Sequence, residues 1–185
     1  MNIEIISGSP RLASTTHRVA LFLQKELTKT SPHQVNLLDV RHWDLPLLQE
    51  VIRHPEAAPE DLKPLAHRMF AADAFILVSP EYNGSYTPAM KNLLDYFPKQ
   101  SHKAFGIVTA SPGAMGGMRA SQQMQLLVAA LFGVLSPYML ITPGVDKKFD
   151  AEGNLLDEAF GKQVQLFLKE FLWLAEALKA EPVLS

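Results

Sequence analysis

Three short stretches hold residues whose types and spacing could do chemistry. The first, Ser7 to Thr16, places Gly8, Ser9, Arg11, Ser14 and Thr16 between a run of isoleucines and a helix-like segment. Backbone N–H groups at a helix start favour an anion. The hydroxyls of Ser9, Ser14 and Thr16 can donate to that anion, and Arg11 can offset its charge through paired N–H donors. A phosphate is the natural ligand for such a set. The same residues also suit an ordinary strand-to-helix turn with Ser14 or Thr15 as the cap. Familiar nucleotide signatures are missing. No Gly-Lys-Ser/Thr occurs, and Gly8 stands alone where a dinucleotide fingerprint needs three glycines. The paired acids of a receiver domain are also absent after the first strand.

The second stretch is Pro80-Glu81-Tyr82-Asn83-Gly84-Ser85-Tyr86-Thr87-Pro88. Pro80 and Gly84 turn the chain and bring it close to a neighbour. Free N–H groups there could meet the polar edge of a flat ring, and Tyr82 or Tyr86 could supply a wall. Glu81 could serve as a general acid or base, but its simpler role is to fix its own loop by hydrogen bonds. The third stretch, Ser111-Pro112-Gly113-Ala114-Met115-Gly116-Gly117, lacks large polar groups. Its glycines let the backbone approach a ligand closely.

These loops need elements to position them. Ile3, Ile5 and Ile6 form a strand, and Val19, Ala20, Leu23 and Leu27 give a helical stripe. Strands follow at 35–40, 74–78, 104–110 and 134–142, the last blurred by Ser136 and Pro137. Helices are predicted over 60–72, 88–96, 118–132 and 155–178. The final one carries Leu156, Phe160, Val164, Phe167, Phe171 and Leu178 on or near one face. The unbroken apolar run Ala74 to Val78 suits a strand covered on both sides. Alternation of strand and helix five times predicts an α/β fold, a parallel sheet with helices on both faces. In such sheets ligands sit beyond the carboxyl ends of the strands, where all three loops fall.

The chain has 185 residues, 48% hydrophobic and 19% charged, which predicts one globular domain over 1–185. Lys+Arg is 17 against Asp+Glu 19, a net charge of −2, with no basic run for nucleic acid. There are no cysteines, which removes disulfides, thiolate metal sites and cysteine nucleophiles. Six histidines form no HxH or HExxH pair, so no metal site is expected. His17 is expected on a helix surface, and Lys91 and Asp95 to pair along a helix. Met124 and Met139 suit the core, while Met115 and Met118 suit a wall near the third loop. Leu126, Leu127, Leu131 and Phe132 exceed what one helix face needs, which fits either a buried helix or a subunit interface. The opening Met-Asn-Ile-Glu-Ile-Ile has no signal-peptide pattern and no span is long enough for a membrane, so a cytoplasmic protein is expected.

Gly8-Ser9-x-Arg11-x-x-Ser14, the run Pro80 to Ser85 and Met90-Lys91-Asn92 together resemble the NAD(P)H-dependent FMN reductases, which include quinone, chromate and azo-dye reductases. The resemblance covers nearly the whole chain. It departs at Thr16, where the family often has Asn, and at Met90, where it often has Leu. It implies a flavodoxin-like three-layer sandwich with a five-stranded parallel sheet. It further implies that Ser9, Arg11, Ser14 and Thr16, with Thr15 beside them, hold the FMN phosphate. Pro80, Glu81, Tyr82, Asn83 and Gly84 would line the flavin ring, and Ser111, Gly113, Gly116 and Gly117 would border the ribityl chain and ring.

The expected function is an FMN-dependent oxidoreductase. It would pass hydride from NADPH or NADH through FMN to a quinone, flavin, azo or nitro compound by ping-pong kinetics, as a homodimer or homotetramer. No side-chain nucleophile is needed, so no catalytic residue is named. The alternative is a flavodoxin-like electron carrier without significant NAD(P)H activity, although −2 is far from the strong acidity of such carriers.

Overall fold

Hydrophobic residues on the strands alternate between two separate cores, and this alternation builds the layers. In the computed structural model, which describes residues 1–180, strand β1 (Asn2–Ser7) buries Ile3 and Ile5 on one side and Ile6 on the other. Residues 181–185, the end of the expected domain, lie outside the described residues. Strands β2 (Gln34–Asp39), β3 (Ala74–Ser79) and β4 (Ala104–Ser111) continue the sheet, and every pairing is parallel. Every residue of β3 is buried, as its unbroken apolar run predicts. The strand order is β2-β1-β3-β4, with the fifth position beyond β4.

Helices α1 (Thr15–Thr30) and α6 (Glu158–Ala180) cover one face, with the short α5 (Val145–Lys148) beside them. Helices α2 (Lys63–Ala71), α3 (Pro88–Asp95) and α4 (Met118–Ala130) cover the other. The expected three-layer α/β flavodoxin-like fold is thus present. Two helix starts differ from the sequence reading. The segment 60–72 opens with a 3-10 turn at Glu60–Leu62, and the α-helix begins at Lys63 with Pro64 in its first turn. The last helix begins at Glu158, where Asp157 accepts from the Phe160 N–H at 3.2 Å. Leu156 therefore lies outside it and is exposed rather than part of its apolar face.

The fifth strand is split. Strand β5 (Val134–Leu135) pairs with Ala104–Phe105, and β6 (Leu140–Pro143) pairs with Val108–Ser111. Residues 136–139 lie opposite 106–107, so the ladder is interrupted. Pro137 has no N–H to offer there, and Ser136 keeps the bond to Phe105 O at 2.8 Å. Beside this break sits Gly106, where α6 presses on the sheet. A Cβ at Gly106 would lie 2.9 Å from Phe167 and 3.1 Å from Phe171.

The irregular stretch 41–59 packs along α3. The Asn92 amide donates to Leu45 O at 3.1 Å and Pro46 O at 2.9 Å, and its oxygen accepts from Leu48 N–H at 3.1 Å. Lys91 and Asp95 pair on the same helix, as their spacing predicts. Leu127 and Leu131 are buried while Leu126 and Phe132 are exposed, so α4 is not a wholly buried helix. Met124 is in the core and Met139 packs against it, whereas Met115 and Met118 are exposed. Among the described residues no helix is long and apolar enough to cross a membrane.

Replacing Gly106 with Ala should lower stability by about 1–3 kcal/mol, the usual cost of overpacking. Denaturant titration reads this, and a loss under about 0.5 kcal/mol would show that the two phenylalanines give way freely.

Candidate functional site

The β1–α1, β3–α3 and β4–α4 loops leave adjacent strand ends and meet at one edge. Gly8 joins the first two. Its N–H donates to Val78 O at 2.9 Å, and its carbonyl accepts from the buried Thr87 hydroxyl. A Cβ on Gly8 would lie 2.4 Å from Met90 Cε and 3.2 Å from Val78 O. Thr87 also caps α3 by accepting from Met90 N–H at 3.1 Å. The departure at Met90 therefore falls at a packed joint.

Between the loops lies a cavity of about 160 Å³. It brings together nine of the predicted site residues: Ser9, Arg11, Ser14, Thr15, Thr16, Pro80, Glu81, Tyr82 and Ser111. Ala13, Ala110 and Pro112, which were not among the predicted site residues, complete the lining. Ser14 caps α1 by accepting from His17 N–H at 3.1 Å, and no acid stands in the first turn of α1. The Arg11 guanidinium lies over the Tyr82 ring at 4.9 Å. Among the described residues it pairs with no carboxylate. Among the described residues the buried Tyr82 hydroxyl has no hydrogen-bond partner. On its other side Tyr82 borders an open trough of about 420 Å³ that includes Asn83 and Lys91.

Glu81 does what its simpler reading predicts, and does it across loops. Gly117 stands at the start of α4 with no side chain to cap it. Glu81 Oε2 accepts instead from Arg119 N–H at 3.1 Å and Ala120 N–H at 3.4 Å. Its other oxygen is 3.6 Å from the Arg119 guanidinium. The carboxylate thus caps a helix.

The remaining predicted residues do not line the cavity. Asn83 (φ 50°) and Gly84 (φ 83°) form a two-residue turn closed by paired Tyr82–Ser85 backbone bonds. Space around Gly84 is open, with Arg119 Cδ at 3.8 Å from a built Cβ, so the glycine serves its φ rather than a close approach. Gly113 N–H donates to Ser111 Oγ at 3.0 Å. Gly116 and Gly117 have positive φ, and a Cβ on them would meet Pro143 N at 2.7 Å and Thr109 Cβ at 2.8 Å. They let the third loop pack down on the sheet.

The sequence reading missed a charged cluster beneath the first loop. His17 is turned inward rather than out to the surface. Its Nδ1 is 2.8 Å from Ser7 Oγ and 3.5 Å from Asp39 Oδ2. Asp39 ends β2 and binds Arg41, whose Nε donates to both carboxylate oxygens at 2.9 and 3.0 Å. Burial lowers the His17 pKa from its ordinary 6.5, and the Asp39 carboxylate opposes this without reversing it, while Arg41 and His42 add to it. Burial would raise the Asp39 pKa, but hydrogen bonds and charge from Arg41 outweigh it and hold the carboxyl below its ordinary value. The one sequence signal was an acid at the end of the second strand with an arginine two residues on.

The sequence profile of the family described as NADPH-dependent FMN reductase matches residues 1–142. A quinone reductase of Pseudomonas putida is 32% identical over 164 residues, covering 85% of this chain and 86% of that one. An NADPH azoreductase of a Bacillus species is 28% identical, covering 86% and 84%. Among solved structures, a flavoenzyme NAD(P)H:(acceptor) oxidoreductase from Paracoccus denitrificans has a TM-score of 0.80 at 24% identity, covering 95% of this chain and 97% of that one. It shares the fold.

Replacing Glu81 with Ala should cost about 0.5–2 kcal/mol, the range for a lost helix cap. Unchanged stability in urea would refute the cap between loops. Because the folded His17 pKa is depressed, the unfolded chain takes up its proton first as pH falls. This contribution to stability is complete above about pH 6.5 and is lost toward the lower folded value. His17→Gln should therefore lose less unfolding free energy than the parent between pH 7 and pH 5. Equal losses would show that His17 does not titrate as this environment requires.

Proposed function

We propose that this chain, which belongs to the NADPH-dependent FMN reductase family, passes electrons to a quinone, free flavin, azo or nitro compound. It is an oxidoreductase that uses FMN, with NADPH or NADH as co-substrate. Bound FMN supplies the two-electron exchange, while the protein supplies binding, orientation and access.

One observation carries the residue assignment: an arginine that, among the described residues, has no carboxylate partner stands beside an acid-free helix start. The donor set fits the phosphate end of FMN. Ser9, Ser14 and Thr15 bring hydroxyls to a wall formed by the α1 N-terminus, whose first N–H groups lack helical acceptors, while the Thr16 hydroxyl, also on this wall, donates to Ala110 O at 3.5 Å and would have to turn to reach a ligand. Ser14 Oγ accepts from His17 N–H and keeps its own proton for a ligand oxygen. The lining carboxylate, Glu81, is engaged by α4 and does not oppose an anion. The unpartnered Tyr82 hydroxyl is a donor waiting for an acceptor.

The cavity is small beside the roughly 300–1,000 Å³ of whole-ligand pockets, which supports a phosphate and the start of its chain there. Backbone of Pro80, Glu81, Tyr82, Asn83 and Gly84 then serves the flat ring. Ser111 and Gly113 flank the chain between, while Gly116 and Gly117 act through the loop shape they permit. Donor and acceptor use one open mouth in turn, so the kinetics are ping-pong. No side chain here needs to form a covalent bond. Leu126 and Phe132, at 66% and 62% exposure, favour a homodimer or homotetramer.

Desalted protein mixed with FMN should stay yellow through gel filtration and bleach to the two-electron reduced form on anaerobic NADPH or NADH. Retention without bleaching would assign an electron carrier instead. Failure to retain FMN would remove both readings.

A further inference from the structure

We propose that Arg41, anchored on Asp39, is a positioning residue that holds the β1–α1 loop in the shape that presents Arg11 to a phosphate. The proposal rests on the phosphate reading of the cavity given above.

The loop has two fixed ends and an unsupported middle. Gly8 is bonded to Val78 and Thr87, and Ser14 caps α1. Between them the chain turns at Leu12–Ala13, and beyond that turn, among the described residues, the backbone of 9–13 makes no backbone–backbone hydrogen bond. Leu12 does not anchor it either, being 89% exposed. Among the described residues the hydrogen bonds from side chains to this backbone come from Arg41. Arg41 Nη1 donates to Leu12 O at 2.9 Å and, at the limit of reach, to Arg11 O at 3.5 Å.

The opposite edge of the same guanidinium is fixed. Nε and Nη2 donate to the Asp39 carboxylate, which is 3% exposed and also accepts from the Arg41 N–H at 3.0 Å. Asp39 in turn ends β2, which is paired with β1 along its length. The chain of contacts therefore runs from the sheet, through Asp39 and Arg41, to the carbonyls of Leu12 and of Arg11, which carries the cation. A planar fork can face a carboxylate and a peptide carbonyl at once, which a lysine ammonium on its flexible stem does poorly. Because its charge is matched by Asp39, Arg41 acts on the loop's geometry, while Arg11 retains the unpaired charge. Without the clamp, residues 9–13 would have to be ordered at the moment of binding, which weakens affinity.

The test is the affinity of the apo protein for FMN and for riboflavin, read by flavin fluorescence quenching. Arg41→Lys should weaken FMN by about tenfold, the scale of a lost hydrogen bond to a charged group. Riboflavin, which lacks the phosphate, should change by less than about twofold. The pair Asp39→Asn with Arg41→Leu, which leaves no buried carboxylate stranded, should behave likewise. In an Arg11→Ala background Arg41→Lys should cost little further, because both changes remove the same presented cation. Equal losses for FMN and riboflavin would assign Arg41 a merely structural role, and losses that multiply with Arg11→Ala would make it an independent contact; either overturns the proposal. Parent protein that holds FMN no more tightly than riboflavin would instead overturn the phosphate reading, and the clamp with it.

Discussion

The joint at Gly8 is the constraint on which the site depends. A glycine leaves β1, bonds to the end of β3 and receives the hydroxyl of the residue that starts α3. Met90 occupies the space a side chain would need. Two loops that are far apart in sequence are thereby brought into one register. The cavity between them follows from where β1, β3 and β4 end, because parallel strands present all their carboxyl ends at the same edge.

Charge near that cavity is distributed with little left over. Glu81 faces the N-terminus of α4, and Asp39 faces Arg41 and His17. Each buried or half-buried carboxylate is matched by donors on a different element, so each neutralises itself while joining two parts of the chain. Arg11 is the exception, resting on the Tyr82 ring. A cation left in this way beside a helix start is the feature on which the proposed anion site rests. In a family that uses FMN, the cofactor carries the chemistry and the protein's part is to bind, orient and expose it.

Much of the fold was legible because burial on both faces imposes a plain pattern. The run Ala74 to Val78 read as a central strand, and Val19, Ala20, Leu23 and Leu27 read as a buried helical stripe, as both are. Errors fell where local chemistry overrides periodicity. Pro64 and Asp157 moved helix starts, and Pro137 split the fifth strand. Leu156 matched the hydrophobic stripe of a helix that begins after it.

The sequence by itself determined the α/β alternation, the three polar loops after strands, and a hydroxyl-rich set around Arg11, because these depend on residues close together in the chain. Tertiary structure decided which of those residues share a cavity. It placed Gly116 and Gly117 against the sheet, gave Glu81 a helix to cap, and turned His17 inward toward Asp39. It also set Arg41 beneath a loop 29 residues away in sequence. Such contacts join groups with no fixed spacing along the chain. Only packing the strands and helices into layers brings them within hydrogen-bonding distance, so no local pattern could announce them.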